Sequence, residues 1–236
     1  MSHQQASNWI SLSDMMTGLM LIFLLIAVLV TMQITQEQKQ RQQSVAEYQE
    51  IKDDIYTDLK DAFGSKEDAW GIAITRDLVI KFENPDLLFG VDEANLTEGY
   101  KNILSEFIPL YIGIINKQEY KERIKEVRIE GHTADVSSAH PTYMSTIELS
   151  QDRSNAVLEY ILENNFFNSL EGPDQRKLRF WFSANGLGNG RTLDQNSQYT
   201  YVTNAPISPN SRRVEFRILT DSESLIDEIF KQDINN

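Results

Sequence analysis

The sequence contains no cysteine and only three histidines among its 236 residues. A disulfide framework, a thiolate metal site and a cysteine nucleophile are therefore excluded. A zinc site built from histidine has almost no donors to draw on, and neither a metal nor a cofactor is expected. Basic residues are also scarce: 22 Lys and Arg stand against 35 Asp and Glu, a formal charge of −13. That balance argues against nucleic acid as a partner, because a phosphate backbone demands Lys and Arg. A hydrophobic share of 41% with 24% charged residues excludes a wholly disordered chain, a collagen-like chain and a polytopic membrane protein. The length suits one or two domains with a real core.

The scarcity is uneven. Residues 1–36 hold no Lys or Arg and a single formal charge, Asp14. From Met15 to Met32 the chain runs MMTGLMLIFLLIAVLVTM without a charge. As a helix this run spans about 27 Å, close to the ~30 Å of a bilayer's hydrocarbon core. Trp9 stands near one end as an interfacial anchor. No basic residue precedes the run and no small-x-small cleavage site follows it, so an uncleaved single-pass anchor is expected rather than a signal peptide. The expected division is a cytoplasmic tail over 1–8, a transmembrane helix over 9–35, a helical connector over 36–65 and a folded domain over 66–236.

Asp14 admits two readings. Ser11, Ser13 and Asp14 all suit a helix N-cap, where a carboxylate is favoured. An intramembrane carboxylate is instead costly in lipid and marks an ion path or a protein partner. Thr17 lies at i+3 on the same face, within reach to share an ion or a hydrogen bond. The connector carries Val45, Tyr48, Ile51, Ile55 and Leu59 at spacings of three or four, which fits a solvated helical spacer or a parallel coiled coil.

Beyond Ala69 the pattern predicts α+β structure in the order β-α-β-α-β-β. A hairpin is expected over 69–75 and 78–82, and a helix over 97–115 interrupted near Pro109. Strands are expected at 127–130, 178–184 and 213–219. A helix is expected over 149–164, capped by Ser150 with Arg153 in its first turn, and a short one over 225–230. An Arg in a first turn runs against the helix dipole, which points to a task such as gripping a carboxylate. Gly186-Leu-Gly188-Asn-Gly190 has no helix pattern after it, so a flexible loop is expected rather than a phosphate loop. No nucleophile–base pair or metal-ligand cluster is legible, so no catalytic residue is named and the chain is not expected to be an enzyme.

Two resemblances join these observations. Trp9-Ile-Ser-Leu-Ser-Asp14-Met-Met-Thr17, followed by Leu, Met and Phe at helical spacing, resembles the membrane signature of MotB-type stator subunits. The resemblance implies that Asp14, with Thr17, carries the ion, that the N-terminus is cytoplasmic, and that the C-terminal domain lies in the periplasm. It adds a third reading of the connector, a plug that restrains ion flow. Ile129-Glu-Gly-His-Thr133-Ala-Asp135, Leu149-Ser-Gln-Asp-Arg153, the glycine loop and Asn210-Ser-Arg212-Arg213-Val-Glu are similar to the motifs of OmpA-like peptidoglycan-binding domains. That family's site holds the diaminopimelate side chain of the stem peptide, an Asp on its ammonium and an Arg on its carboxylate. The resemblance therefore implies wall binding by Asp135 and Arg153 with Thr133 and Arg212. The sequence departs from the pattern where Ala134 follows Thr133 and moves Asp135 on by one, and where 190–206 forms a long polar insert.

Together the two halves resemble a wall-anchored stator subunit of an ion-driven rotary motor, closest to the ZorB family of Zorya anti-phage defence. The flagellar MotB type and a passive OmpA-like envelope anchor are the alternatives. The resemblance implies a homodimer inside a ring, a pentamer, of a multi-span MotA- or ZorA-like subunit in the bacterial inner membrane. The ion is taken as H⁺, and Na⁺ suits the same two residues.

Overall fold

In the computed structural model, residues 2–134 and 139–221 are described. Two compact units divide at Glu47 and Tyr48. The first holds helix α1 (Ser2–Phe63) as far as Glu47, and its stretch Met15–Gln40 is long and apolar enough to cross a membrane. Asp14 lies several turns inside α1, whose first turn holds no acidic residue, so Asp14 is not its N-cap.

The second unit opens with the last turns of α1. Ile55, Leu59 and Phe63 recur at i, i+4 and i+8 and are fully buried in the core. This end of the expected connector is thus a core helix, and its apolar stripe is satisfied within the domain. Asp58, on a neighbouring face, accepts hydrogen bonds from Lys117 Nζ at 2.6 Å and Tyr120 Oη at 2.5 Å. A short helix α2 (Glu67–Trp70) leads into the hairpin β1 (Ile72–Thr75) and β2 (Val79–Phe82), and a single turn of helix, α3 (Pro85–Leu88), follows. Helix α4 (Glu98–Ile115) is capped by Thr97 and runs unbroken through Pro109. The expected interruption is absent because Tyr100, Leu104, Phe107, Ile108, Tyr111 and Ile112 are all buried on one face. That burial outweighs the ~3 kcal/mol cost of an interior proline, and Ser105, four residues before it, is exposed to water.

Strand β3 (Ile124–His132) is followed by α5 (Tyr143–Glu163). The cap of α5 is Thr142, in a reciprocal capping box with Ser145, not Ser150. Arg153 therefore sits in the third turn, and the dipole argument for it does not apply. Next come α6 (Asn165–Ser169), α7 (Gly172–Trp181) and β4 (Phe182–Gly186). The strand expected from 178 begins instead at Phe182, because Leu178 and Trp181 bury one helical face while Phe180 is exposed. The insert folds a short helix α8 (Thr200–Thr203), and β5 (Arg213–Thr220) completes the domain. The helix expected over 225–230 falls outside the described residues.

The five strands form one mixed sheet in the order β1-β2-β5-β3-β4, with only β3 and β4 parallel. This is the expected α+β class. The core helices pack on one face, where the rings of Phe63, Phe107 and Phe216 meet at 4.9 and 5.0 Å between centroids, the first pair tilted and the second edge-on. Helix α5 lies directly on β3 and β4 because glycine meets it on each strand. A Cβ at Gly131 would collide with the Ser150 carbonyl, and one at Gly186 with the Gln151 backbone.

Because Leu59 packs in this core, Leu59→Ala should cost about 2–5 kcal/mol. A circular-dichroism melt of the variant should fall by roughly 5–15 °C, independent of protein concentration. A shift that varied with concentration would instead place Leu59 at an interface between chains.

Candidate functional site

The ends of β3 and β5, the start of α5 and the loop after α3 converge on one cleft. Thr133, Ala134, His140, Thr146, Leu149, Arg153 and Arg212 line it with Val91 and Asp92. A smaller pocket beside it is walled by Leu88, Phe89, His132 and Arg213, and shares Arg153 and Arg212. Three of the four residues expected to bind the wall, Thr133, Arg153 and Arg212, are thus brought together. Asp135 lies outside the described residues.

Arg153 is 6% exposed. Its Nε donates to the Glu93 carbonyl at 2.8 Å and its Nη2 to the Gly90 carbonyl at 3.4 Å. The guanidinium lies 5.0 Å from the centre of the Phe89 ring, a cation–π contact. Burial lowers its pKa to about 10, the charge of Arg212 pushes the same way, and Asp92 opposes both. Arg153 therefore stays protonated at neutral pH. The loop it grips is closed by the bridge between Phe89 and Leu96 and by the turn bond from Glu93 N to Gly90 O. Thr133 N donates to the Gly188 carbonyl at 3.0 Å, while its buried Oγ1 has no hydrogen-bond partner among the described residues.

The glycine loop is tied to β3 and α5 by hydrogen bonds. Gly188 N donates to Ser150 Oγ at 2.8 Å and Leu187 N to the Gly131 carbonyl at 2.9 Å. Gly188 has φ +53, in the left-handed region that glycine tolerates. Ser150 thus ties α5 to this loop instead of capping the helix.

Beneath the cleft, on the sheet face opposite α5, lies a buried ion network that the motifs did not announce. Glu130 stands directly across from Glu215, and His132 across from Arg213. Two like charges opposite each other are unfavourable, and the arginines offset them. Arg213 Nε donates to Glu215 at 2.6 Å, and Arg217 reaches Glu215 at 2.9 Å and Glu130 at 3.3 Å. Burial pushes the Glu215 carboxyl up, but Arg213, His132 and Arg217 outweigh it and leave the pKa below the ordinary range. The insert covers this network: the Arg191 carbonyl accepts from Arg213 at 3.2 Å, and Ser211 Oγ bonds both backbone groups of Leu193. The alternation of charge along Arg213-Val-Glu-Phe-Arg217 was the available signal for these residues.

His132 Nε2 lies 3.9 Å from both Glu130 and Glu215, and these three donors are close enough to share a metal ion. The guanidiniums of Arg213 and Arg217 already occupy and balance the two carboxylates, so the donor set favours an ion-pair network over a cation site.

Residues 88–203 match the OmpA family. The Zorya protein ZorB of Escherichia coli is 30% identical over an alignment covering 97% of this chain and 94% of that protein. The chain belongs to the ZorB family. Among solved structures, a MotB-like protein from Desulfovibrio vulgaris shares the fold at a TM-score of 0.51, with 20% identity over 75% of this chain and 98% of that one. The cell wall anchor of the T6SS from Pseudomonas aeruginosa overlaps 69% of this chain and 97% of its own, at 15% identity and a TM-score of 0.44.

Burial lowers the pKa of His132 to about 3, with Arg213 adding to the shift. In the unfolded chain its value is near 6.5. Between these values the unfolded state binds more protons, so stability is complete above about pH 6.5 and falls as the pH drops. Glu215 adds its own loss only below about pH 4.5. Urea unfolding should therefore show declining stability from pH 6.5 to 4.5, and His132→Gln should flatten the profile in that window. An unchanged slope would remove His132 as the cause.

Proposed function

We propose that this chain is the wall-anchored stator subunit of an ion-driven, proton-using rotary membrane motor of the Zorya anti-phage type. The observation that carries the reading is family membership along nearly the whole length, apolar helix and OmpA-like domain alike. In this reading residues 1–8 are cytoplasmic, 9–35 cross the bacterial inner membrane, and the connector and domain lie in the periplasm. The position of Asp14 inside α1, rather than at its cap, supports a working carboxylate.

Two copies, inside a pentameric ring of a multi-span MotA- or ZorA-like partner, supply two Asp14 carboxylates with Thr17 beside each. Protonation neutralises Asp14 and changes its contacts with the ring; release toward the cytoplasm restores the charge. Alternate use of the two carboxylates drives rotation in steps. The reaction torque needs a fixed point, and the cleft supplies it by holding peptidoglycan. The distal end of diaminopimelate is a zwitterion, and Arg153, backed by Arg212, takes its carboxylate in a charge-assisted bond. Nothing in this role requires enzymatic chemistry.

Asp14→Asn keeps size and hydrogen bonding but does not titrate. In cells carrying the complete defence system, it should abolish protection in a phage plaque assay while the protein still reaches the membrane. Full protection would leave a passive anchor as the function. Arg153→Ala should weaken co-sedimentation with purified peptidoglycan by roughly 10–100-fold, the value of about 1.5–3 kcal/mol for hydrogen bonds to a charged group. Unchanged sedimentation would refute the wall site.

A further inference from the structure

Among the described residues that line the cleft, arginines outnumber carboxylates. Arg153 and Arg212 line it, and Ala134 occupies the position next to Thr133 where the pattern of the motif calls for a carboxylate. A zwitterion bound there needs an anionic partner for its ammonium. The described wall of the cleft offers one carboxylate, from the opposite side: Asp92.

Asp92 is held in place by its turn. Glu93 N donates to the Gly90 carbonyl at 3.2 Å, and Arg153 donates to the carbonyls of both Gly90 and Glu93. The two residues between, Val91 and Asp92, are clamped from both ends by the same guanidinium. Asp92 takes φ +54, a left-handed conformation that Asp and Asn adopt more readily than other side chains. Phe89, at the base of the turn, stacks on Arg153. One arginine therefore sets the position of the turn that carries the carboxylate. A second buried group points to a ligand in the same cleft: Thr133, 4% exposed, has an Oγ1 with no partner among the described residues.

We propose that Asp92, rather than Asp135, is the carboxylate that binds the ammonium of the zwitterionic stem-peptide residue, with Arg153 on its carboxylate and Thr133 Oγ1 as a further hydrogen-bonding group. The inference rests on the wall-binding reading and deepens it. It makes the site a clamp between the Gly90–Glu93 turn and α5. Arg153 has a double task, because it binds ligand and positions the opposing acid.

The test pairs protein variants with two probes. One probe is a soluble muropeptide ending in meso-diaminopimelate; the other is the same molecule with its distal amine acetylated. Binding of the full-length chain in detergent is measured by calorimetry, with folding checked by circular dichroism. The wild type should bind the free amine at least about tenfold more tightly than the acetylated form. Asp92→Asn, which suits the left-handed conformation, should bring that ratio close to one and leave affinity for the acetylated probe unchanged. Asp135→Asn should keep the wild-type ratio. The proposal is overturned if the wild type shows no preference, if Asp92→Asn weakens both probes equally, or if Asp135→Asn is the variant that loses the preference. In each of those cases loss of binding in Arg153→Ala leaves the wall-binding reading standing. Undiminished binding of both probes in Arg153→Ala overturns that reading itself.

Discussion

The guanidinium of Arg153 sits in protein interior, stacked on Phe89 and bonded to two backbone carbonyls of the Gly90–Glu93 turn. A buried cation is costly, and these contacts are what offset the cost. Because the acceptors belong to a loop distant in sequence, the ion locks that loop against α5. The cleft exists where it does for this reason. Its floor depends on the same helix, since α5 reaches β3 and β4 only across Gly131 and Gly186.

The opposite face of the sheet solves a different electrostatic problem. Glu130 faces Glu215 across β3 and β5, and Arg213 and Arg217 bridge the pair. The insert between β4 and β5 removes this network from water by pinning Leu193 to Ser211 and laying the Arg191 carbonyl on Arg213. The insert is thus a structural cover with defined hydrogen bonds. Asp194 organises its turn by accepting from Asn196 N and Gln198 N at 2.8 and 3.0 Å. The result is a domain with two charged layers, one lining the cleft and one covered by the insert.

Much of this was legible in the sequence. The apolar run after Asp14, the helix from Thr97 to Ile115, the hairpin and the last strand follow from hydrophobic spacing. The meeting of Thr133, Arg153 and Arg212 was instead implied by the resemblance of their motifs to those of OmpA-like domains. What escaped has physical reasons. The cap of α5 lies at Thr142 because Thr146, Leu149 and Ser150 are buried along one face, a pattern that polar Thr and Ser disguise. The helix through Trp181 reads as a strand because Leu178 and Phe180 alternate, although only Leu178 is buried. Ile55, Leu59 and Phe63 show helical spacing that a core and a coiled coil share. Asp92 had no motif of its own, and only the fold brings it to the cleft.

In the proposed stator, Asp14 and the cleft make one device only if the cleft holds a zwitterionic stem-peptide residue between α5 and the Gly90–Glu93 turn. The most direct measurement is a chemical-shift map of the isotope-labelled chain during titration with a diaminopimelate-containing muropeptide. The account predicts saturable changes confined to the amides of 90–93, Thr133, the side chain of Arg153 and Arg212. No change at these positions, or a binding surface elsewhere on the domain, would contradict it.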